Sequence, residues 1–347
     1  MMQTRLSAVA LATLAILTAA PAVSAQESEA NFRLDRADGY APLGVVLDQV
    51  LSQGEFLVSY RYLVDDKDGL RVDEFDVLFE SVLETFNSAP FESMSHTHLF
   101  ALQYGVRDDI TIMGRVPILS RSMSTADQNF NVFETTSSGI GDLRGDVLFE
   151  AYDRGPYRAH VSAGVSLPTG SIEKSGIIPT GGEDRLGYQM QLGSGTFDIH
   201  PGLTLQAMND QGSVGLQATG TFRMGENSSN YRLGDVVGVS GWFAYPVSEQ
   251  FSLSARMDFQ NWGNVSGSDP AFDNRVAAVS DPTVFSIFTG GNRLDLGVGG
   301  NVMLQEGPLA GHRFGIEAKF PVSETLDGPQ LSGNWGISVG WQKQVAW

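Results

Sequence analysis

The chain contains no cysteine. That excludes a disulfide framework, a thiolate-held zinc or iron–sulfur centre, a cysteine nucleophile and a lipidated N-terminal cysteine. Positive charge is scarce: 22 Lys+Arg stand against 40 Asp+Glu, a net charge of −18. Such a surface is a poor electrostatic match for nucleic acid, so none is expected as a partner. Charged residues of both signs reach only 18%, against roughly 25% in soluble domains. No phosphate-cradling G-x-x-x-x-G-K-[ST] loop and no strand-bound G-x-G-x-x-G opening a helix occurs, so no nucleotide cofactor is expected. What is abundant is glycine, 40 of 347 residues, and aromatics, at 10%. Plentiful glycine and aromatics with little charge suit a β protein whose strands meet lipid on one face.

The first 25 residues read as an export signal. Arg5 supplies a short basic region, Leu6 to Ala20 is almost wholly apolar, and Val23-Ser24-Ala25 offers small residues for cleavage after Ala25. The apolar run falls short of the ~20 residues a spanning helix needs, and Pro21 follows it. Nothing downstream approaches 18 consecutive apolar residues, so helices are not expected to hold the exported chain in a membrane.

From Gly54 to Trp347 the sequence alternates apolar and polar residues with period two in twelve short segments. In Glu55–Leu63, Phe56, Val58, Tyr60 and Tyr62 oppose Ser59 and Arg61. In Tyr157–Leu167, Ala159, Val161, Ala163 and Val165 oppose Arg158, His160, Ser162 and Ser166. Short turns fall near 107–109, 153–156, 209–212, 248–250 and 306–308. Long connections fall near 64–94, 120–139, 169–190, 224–235, 261–291 and 322–332. An even strand count, strands near ten residues and short turns on one side are the pattern of an outer-membrane barrel with periplasmic turns. A soluble β-sandwich also alternates, but six long loops on one side are many for a compact sandwich. The expected fold is therefore all-β, an antiparallel up-and-down barrel of about 12 strands. The polar faces then line the lumen, which makes Arg61, Arg115, Arg144, Asp146, Glu150, Arg158, His160, Asp198, His200, Arg256, Asp258, Glu317 and Lys319 the candidate solute-path residues. Their mixed signs also suit a salt-bridge network across the lumen. Residues 26–53 stand apart. Leu43, Val45, Val46, Leu47, Val50 and Leu51 suggest a short apolar helix or strand, packed on the barrel base or plugging the lumen.

Other chemistry is weaker. His160 and Ser162 share a strand face, as a barrel lipase would need, but they face the lumen and no third partner can be placed. A hydrogen-bonded lumen histidine is the default. Met94-Ser95-His96-Thr97-His98 sets two imidazoles at i, i+2 beside methionine, a weak candidate for a metal. The acidic run Asp65, Asp66, Asp68, Asp73, Glu74, Asp76 fails the spacing of a calcium-binding hand loop, since Val64 and Phe75 stand where acids are required. It reads as a solvated outer loop able to meet divalent ions and lipopolysaccharide. The expectation is a non-enzyme.

Three stretches carry a resemblance: Gly139-Ile140-Gly141-Asp142-Leu143, Ser166-Leu167-Pro168-Thr169-Gly170, and Leu192-Gly193-Ser194-Gly195-Thr196-Phe197-Asp198 with Pro201-Gly202-Leu203. In this order and spacing the chain resembles the outer-membrane "transporter" barrels of the phenol-degradation meta-pathway type. Gly54 to Tyr62 and Thr111-Ile112-Met113 resemble a Met- and His-rich branch linked with copper handling, although Val46 to Gln53 has neither residue. A terminal aromatic, Trp347, preceded by Val345, Trp341 and Val339, resembles the signal read by the barrel-assembly machinery. The resemblance implies passage of a small, hydrophobic or aromatic solute across the outer membrane. The expected partners are that solute, outer-membrane lipid and lipopolysaccharide, and the assembly machinery.

Overall fold

The computed structural model describes residues 32–179 and 181–346. The leader read over residues 1–25, including Ala25, and the terminal Trp347 lie outside the described residues. In chain order the strands are β1 Glu55–Asp73, β2 Phe75–Val77, β3 Ser88–Arg107, β4 Ile110–Asp127, β5 Val132–Ile140, β6 Leu143–Arg154, β7 Tyr157–Leu167, β8 Ser175–Ile177, β9 Glu183–Arg185, β10 Phe197–Asn209, β11 Gly212–Met224, β12 Tyr231–Arg232, β13 Val236–Pro246, β14 Phe251–Trp262, β15 Ser266–Gly267, β16 Gly291–Leu304 and β17 His312–Ala346.

One antiparallel sheet closes on itself. Its order runs β1, β3, β4, β6, β7, β10, β11, β13, β14, β16, β17, and β17 pairs back onto β1. β17 is folded in two: its first arm, to Leu326, pairs with β16, and its second, to Ala346, pairs with β1. The wall thus has twelve staves. Closure removes the free edges that an open sheet would expose.

The alternation decides which side chain faces where. Val58, Phe100, Leu102, Ile112, Val147, Val161, Leu205, Leu253 and Ile316 lie on the outside and are exposed. Arg61, Asp146, His160, Asp198, His200, Arg256 and Glu317 point inward and are buried. The side chains of a strand change face at every residue, so a single register fixes the whole pattern.

The strands are longer than expected on one side of the barrel. β1, β3 and β4 have 19, 20 and 18 residues, against 11 in β7 and β13. The stretches expected as loops at 64–94 and 120–139 are mostly strand, because β1 continues to Asp73, β3 begins at Ser88 and β5 pairs the upper part of β4. The acidic run is accordingly not a solvated loop throughout. Asp65 pairs with Lys319 at 2.6 Å, Asp66 is 8% exposed and accepts from Asn334 Nδ2, and Asp76 meets Arg71. Likewise 322–332 is the tip of a hairpin rather than a loop.

Above the shorter staves the connections fold over the mouth. Ile172, Tyr188, Tyr231, Val265, Phe272 and Val284 form one apolar cluster, with the Tyr188 ring edge-on to Tyr231 and Phe272, each at 5.0 Å. Leu70, Phe86, Met123, Ile178, Leu186 and Met190 form a second. Burial pushes the Tyr188 phenol above its ordinary pKa. These two clusters make a roof with its own core.

Candidate functional site

The lumen is the site, and its lower end is occupied. Residues 32–53 form neither the helix nor the strand that the apolar residues suggested. They make one 3-10 turn at Ala37–Gly39 and otherwise run irregularly inside the barrel. Leu43, Val45, Leu47 and Leu51 are at most 3% exposed. A buried segment with little internal backbone pairing must find partners elsewhere, and here the wall supplies them. His160 Nε2 donates to Leu47 O at 2.8 Å, Gln217 Nε2 to Val46 O at 2.9 Å, and Arg313 Nη2 to Ala41 O at 2.6 Å. Ser213 and Ser252 hydroxyls donate to the carbonyls of Asp38 and Ala37. In the other direction Leu51 N donates to Thr111 Oγ1 at 2.7 Å.

Apolar contacts complete the plug. Leu47 packs with Ala101, Met113 and Leu148, and Ala41 and Val45 pack against Trp242. Trp242 turns inward at 2% exposure, because Gly215 on the neighbouring strand leaves the space a side chain would fill. Period two sets Trp242 opposite Val237, Val239, Phe243 and Tyr245, where its large apolar ring blurs the partner face. Its paired glycine is the signal that could have assigned it. Within the plug, burial raises the Asp38 carboxyl against the pull of its ion pair with Arg36, and pushes Tyr40 up to about 12 beneath the Arg313 guanidinium.

Just above the plug lie the candidate charges. Arg256 holds Glu317 at 2.6 Å and Asp258 at 3.1 Å, and Glu317 also accepts from the plug's Gly44 N. Arg115 and Arg144 both bind Asp146, at 2.8 and 2.7 Å. Lys319 pairs with Asp65. Asp198 binds Arg223 and accepts from Thr196 Oγ1 at 2.6 Å and Ser166 Oγ at 3.1 Å, while His200 lies 3.1 Å from that Ser166 hydroxyl and 3.0 Å from Thr221. Near the short-turn end Arg158 pairs with Asp153 at 3.3 Å and lies over the Phe32 ring, and Glu150 faces inward half-buried. Arg61 alone among the thirteen candidates is buried at 4% exposure without a hydrogen bond or ion pair to any described residue.

The remaining candidates sit apart from this chemistry. His160 is spent on the plug's backbone and not on Ser162. His96 and His98 point outward, and their Nδ1 atoms lie 2.8 and 2.9 Å from the hydroxyls of Tyr62 and Tyr60, a polar-aromatic patch on the exterior. Among the described residues no group of three or more His, Asp or Glu side chains is placed to hold a metal ion.

The stretches that carried the resemblance meet at one point, where the wall is interrupted. β5 pairs with β4 but not with β7, so above Gly141 the ladder is open on that side. Asp142 fills the break: its carboxylate accepts from Gly170 N at 2.9 Å, Ser194 N at 2.7 Å and Ser194 Oγ at 2.9 Å. Thr169 Oγ1 donates to Gly141 O and accepts from Leu143 N. Gly170 and Gly193 pass so closely that a Cβ on either would meet the other's backbone.

No family model and no curated protein matches the chain. Solved structures do. An outer membrane channel from Pseudomonas putida F1 is similar at a TM-score of 0.60 and 12% identity, over 86% of this chain and 97% of that one. The β domain of the Bordetella autotransporter BrkA gives 0.45 and 9%, over 84% and 100%. A Pseudomonas aeruginosa FadL homologue gives 0.41 and 10%, over 83% and 90%. The first likeness establishes that the chain shares the fold of an outer-membrane β-barrel.

Proposed function

We propose that the chain is an outer-membrane channel that passes a small solute through its lumen once the 32–53 plug is displaced. The observation that carries this is the contrast within the lumen. A barrel serving only as a scaffold fills its interior with its own side chains. Here the lower lumen is filled by a separate chain segment, and a charged lumen lies above it. Selectivity then rests with the inward side chains and the roof.

The resemblance to phenol-degradation transporters supports a hydrophobic or aromatic solute. The leader supports export with cleavage after Ala25, Trp347 supports recognition by the barrel-assembly machinery, and the exposed outer acids support contact with lipopolysaccharide. His160 and Ser162, the His/Ser pair read from the sequence, are not hydrogen-bonded together, and the Ser166 hydroxyl beside His200 donates to Asp198 rather than to the imidazole. The test is conductance in planar bilayers, comparing the full chain with a variant lacking 32–53. Small or rare openings that become large and steady on deletion support the reading. An inserted, folded deletion variant with no conductance and no solute flux refutes it.

A further inference from the structure

One wall of the lumen carries more cations than carboxylates, and they stand in a definite order. The registers of β1, β3 and β4 place inward residues in rungs. Ser59, Ala101 and Arg115 share one; Arg61, Leu99 and Pro117 the next; Leu63, Thr97 and Leu119 the next; Asp65, Ser95 and Arg121 the one above. Arg144 is the Cα partner of Arg115 across the β4–β6 ladder. Like charges directly opposite repel, and Asp146 binds both, leaving that trio one positive charge in excess. Arg61 on the neighbouring rung adds a second. Asp48 of the plug makes no ion pair with Arg61 and accepts from Ala41 N instead. Arg121, higher up, is held only by the carbonyls of Gln189 and Gln191. On the first arm of β17 and on β16 and β14 next to it, by contrast, Glu317, Asp295 and Asp258 each have an arginine.

A buried cation with no partner carries a desolvation penalty of several kcal/mol, and no contact with a described residue returns it. A guanidinium beside a net-positive trio suits a planar, bidentate anion. Leu99 and Pro117 sit on the rung of Arg61 itself, and Leu63 and Leu119 on the rung above, all half-buried on the lumen side. We infer that Arg61, Arg115 and Arg144 form a binding site for the carboxylate of a small amphipathic organic acid, whose hydrocarbon part lies along Leu99, Pro117 and Leu119. This deepens the channel reading and rests on it for the route of entry. Inorganic phosphate shares the charge but has nothing to place on the apolar rungs.

The test uses the full-length barrel, with benzoate, its uncharged analogue benzyl alcohol, and inorganic phosphate as probes. Equilibrium binding in detergent and flux into proteoliposomes are measured in parallel. The expected result is benzoate binding and flux at least tenfold above benzyl alcohol, with weak competition by phosphate. Arg61→Gln should lower that preference about tenfold, and Arg115→Gln should lower it as well. Because Arg61 has no partner to lose among the described residues, Arg61→Met should hold or raise the thermal midpoint of the barrel, which a purely structural arginine would not do. Equal handling of benzoate and benzyl alcohol, an Arg61→Gln variant with unchanged preference, or a lowered midpoint in Arg61→Met overturns the site. Phosphate competing as well as benzoate overturns the amphipathic ligand. Benzoate binding without flux of either organic probe leaves the site standing and overturns the channel.

Discussion

Asp142 offers the sharpest single perturbation of the wall. Replacing it with alanine removes the acceptor from Gly170 N–H and Ser194 N–H, both buried, and from the Ser194 hydroxyl. A buried donor left unsatisfied costs about 1–3 kcal/mol. Two of them, with Asp142 itself only half-buried so that water reaches part of the gap, give about 2–4 kcal/mol. Asp142→Asn keeps one acceptor oxygen but turns an amide donor toward the other N–H, so about half that loss follows. The damage should be local before it is global, because this carboxylate ties the 168–196 connection to a wall that lacks a β5–β7 ladder. Denaturant unfolding in micelles, read by tryptophan fluorescence, gives the energies. Limited proteolysis gives the location, with first cuts expected between 171 and 187. An Asp142→Ala barrel that unfolds within about 0.5 kcal/mol of the parent and resists cleavage there would falsify the account.

The plug can be dislodged by sterics alone. A side chain at Gly44 would run into the Arg256–Glu317 pair, so Gly44→Val should raise open-channel conductance toward that of the 32–53 deletion; a conductance equal to the parent's argues against the plug as the barrier. Alkaline pH should loosen the same segment. Burial pushes Tyr40 up to about 12, above the ordinary value near 10, so its contribution is complete below pH 10 and is lost as pH rises toward 12. The amount is up to about 2–3 kcal/mol. A pH series of thermal midpoints checks this, and Tyr40→Phe should flatten the decline; an equally steep decline in that variant refutes the assignment.

The wall was legible in the sequence because its code is local. A strand needs only its own alternation to declare which residues face in, so Arg61, Asp146, His200 and Glu317 fall where period two puts them. Strand ends were less legible. β1 carries on past Leu63 through Asp65, Asp66 and Lys67, whose charges look like loop until Lys319 and Asn334 meet them from a strand some 260 residues away. The plug was the least legible. Leu43 to Leu51 have no helical or strand period, since their backbone is met largely by His160, Gln217 and Thr111 of the wall. No local pattern reports an element most of whose hydrogen bonds lie elsewhere in the chain. Pairing within the lumen was legible only where partners sit two apart on one strand, as Arg144 and Asp146 do.

The manner in which the plug is held bears on whether it can leave. Most of its polar contacts join a side chain of the wall to a backbone group of the segment, at Ala37, Asp38, Ala41, Gly44, Val46, Leu47 and Leu51. When such a contact opens in a wet lumen, water can take the place of either partner, so its net worth is only about 0.5–1.5 kcal/mol. The plug's Arg36 and Asp38 are paired with each other and would leave together. The wall ions Arg256 and Glu317 likewise keep their own pairing after Gly44 departs. Among the described residues one ion pair crosses the boundary, Arg33 with Glu249 at 3.6 Å, and both side chains are exposed, so the main opposing term is the apolar burial of Leu43, Val45, Leu47 and Leu51. A static filler would gain from ion pairs across the plug–wall boundary. A segment tied to the wall by one exposed ion pair and by hydrogen bonds to its backbone meets the requirement that the channel reading sets, that it can part from the wall.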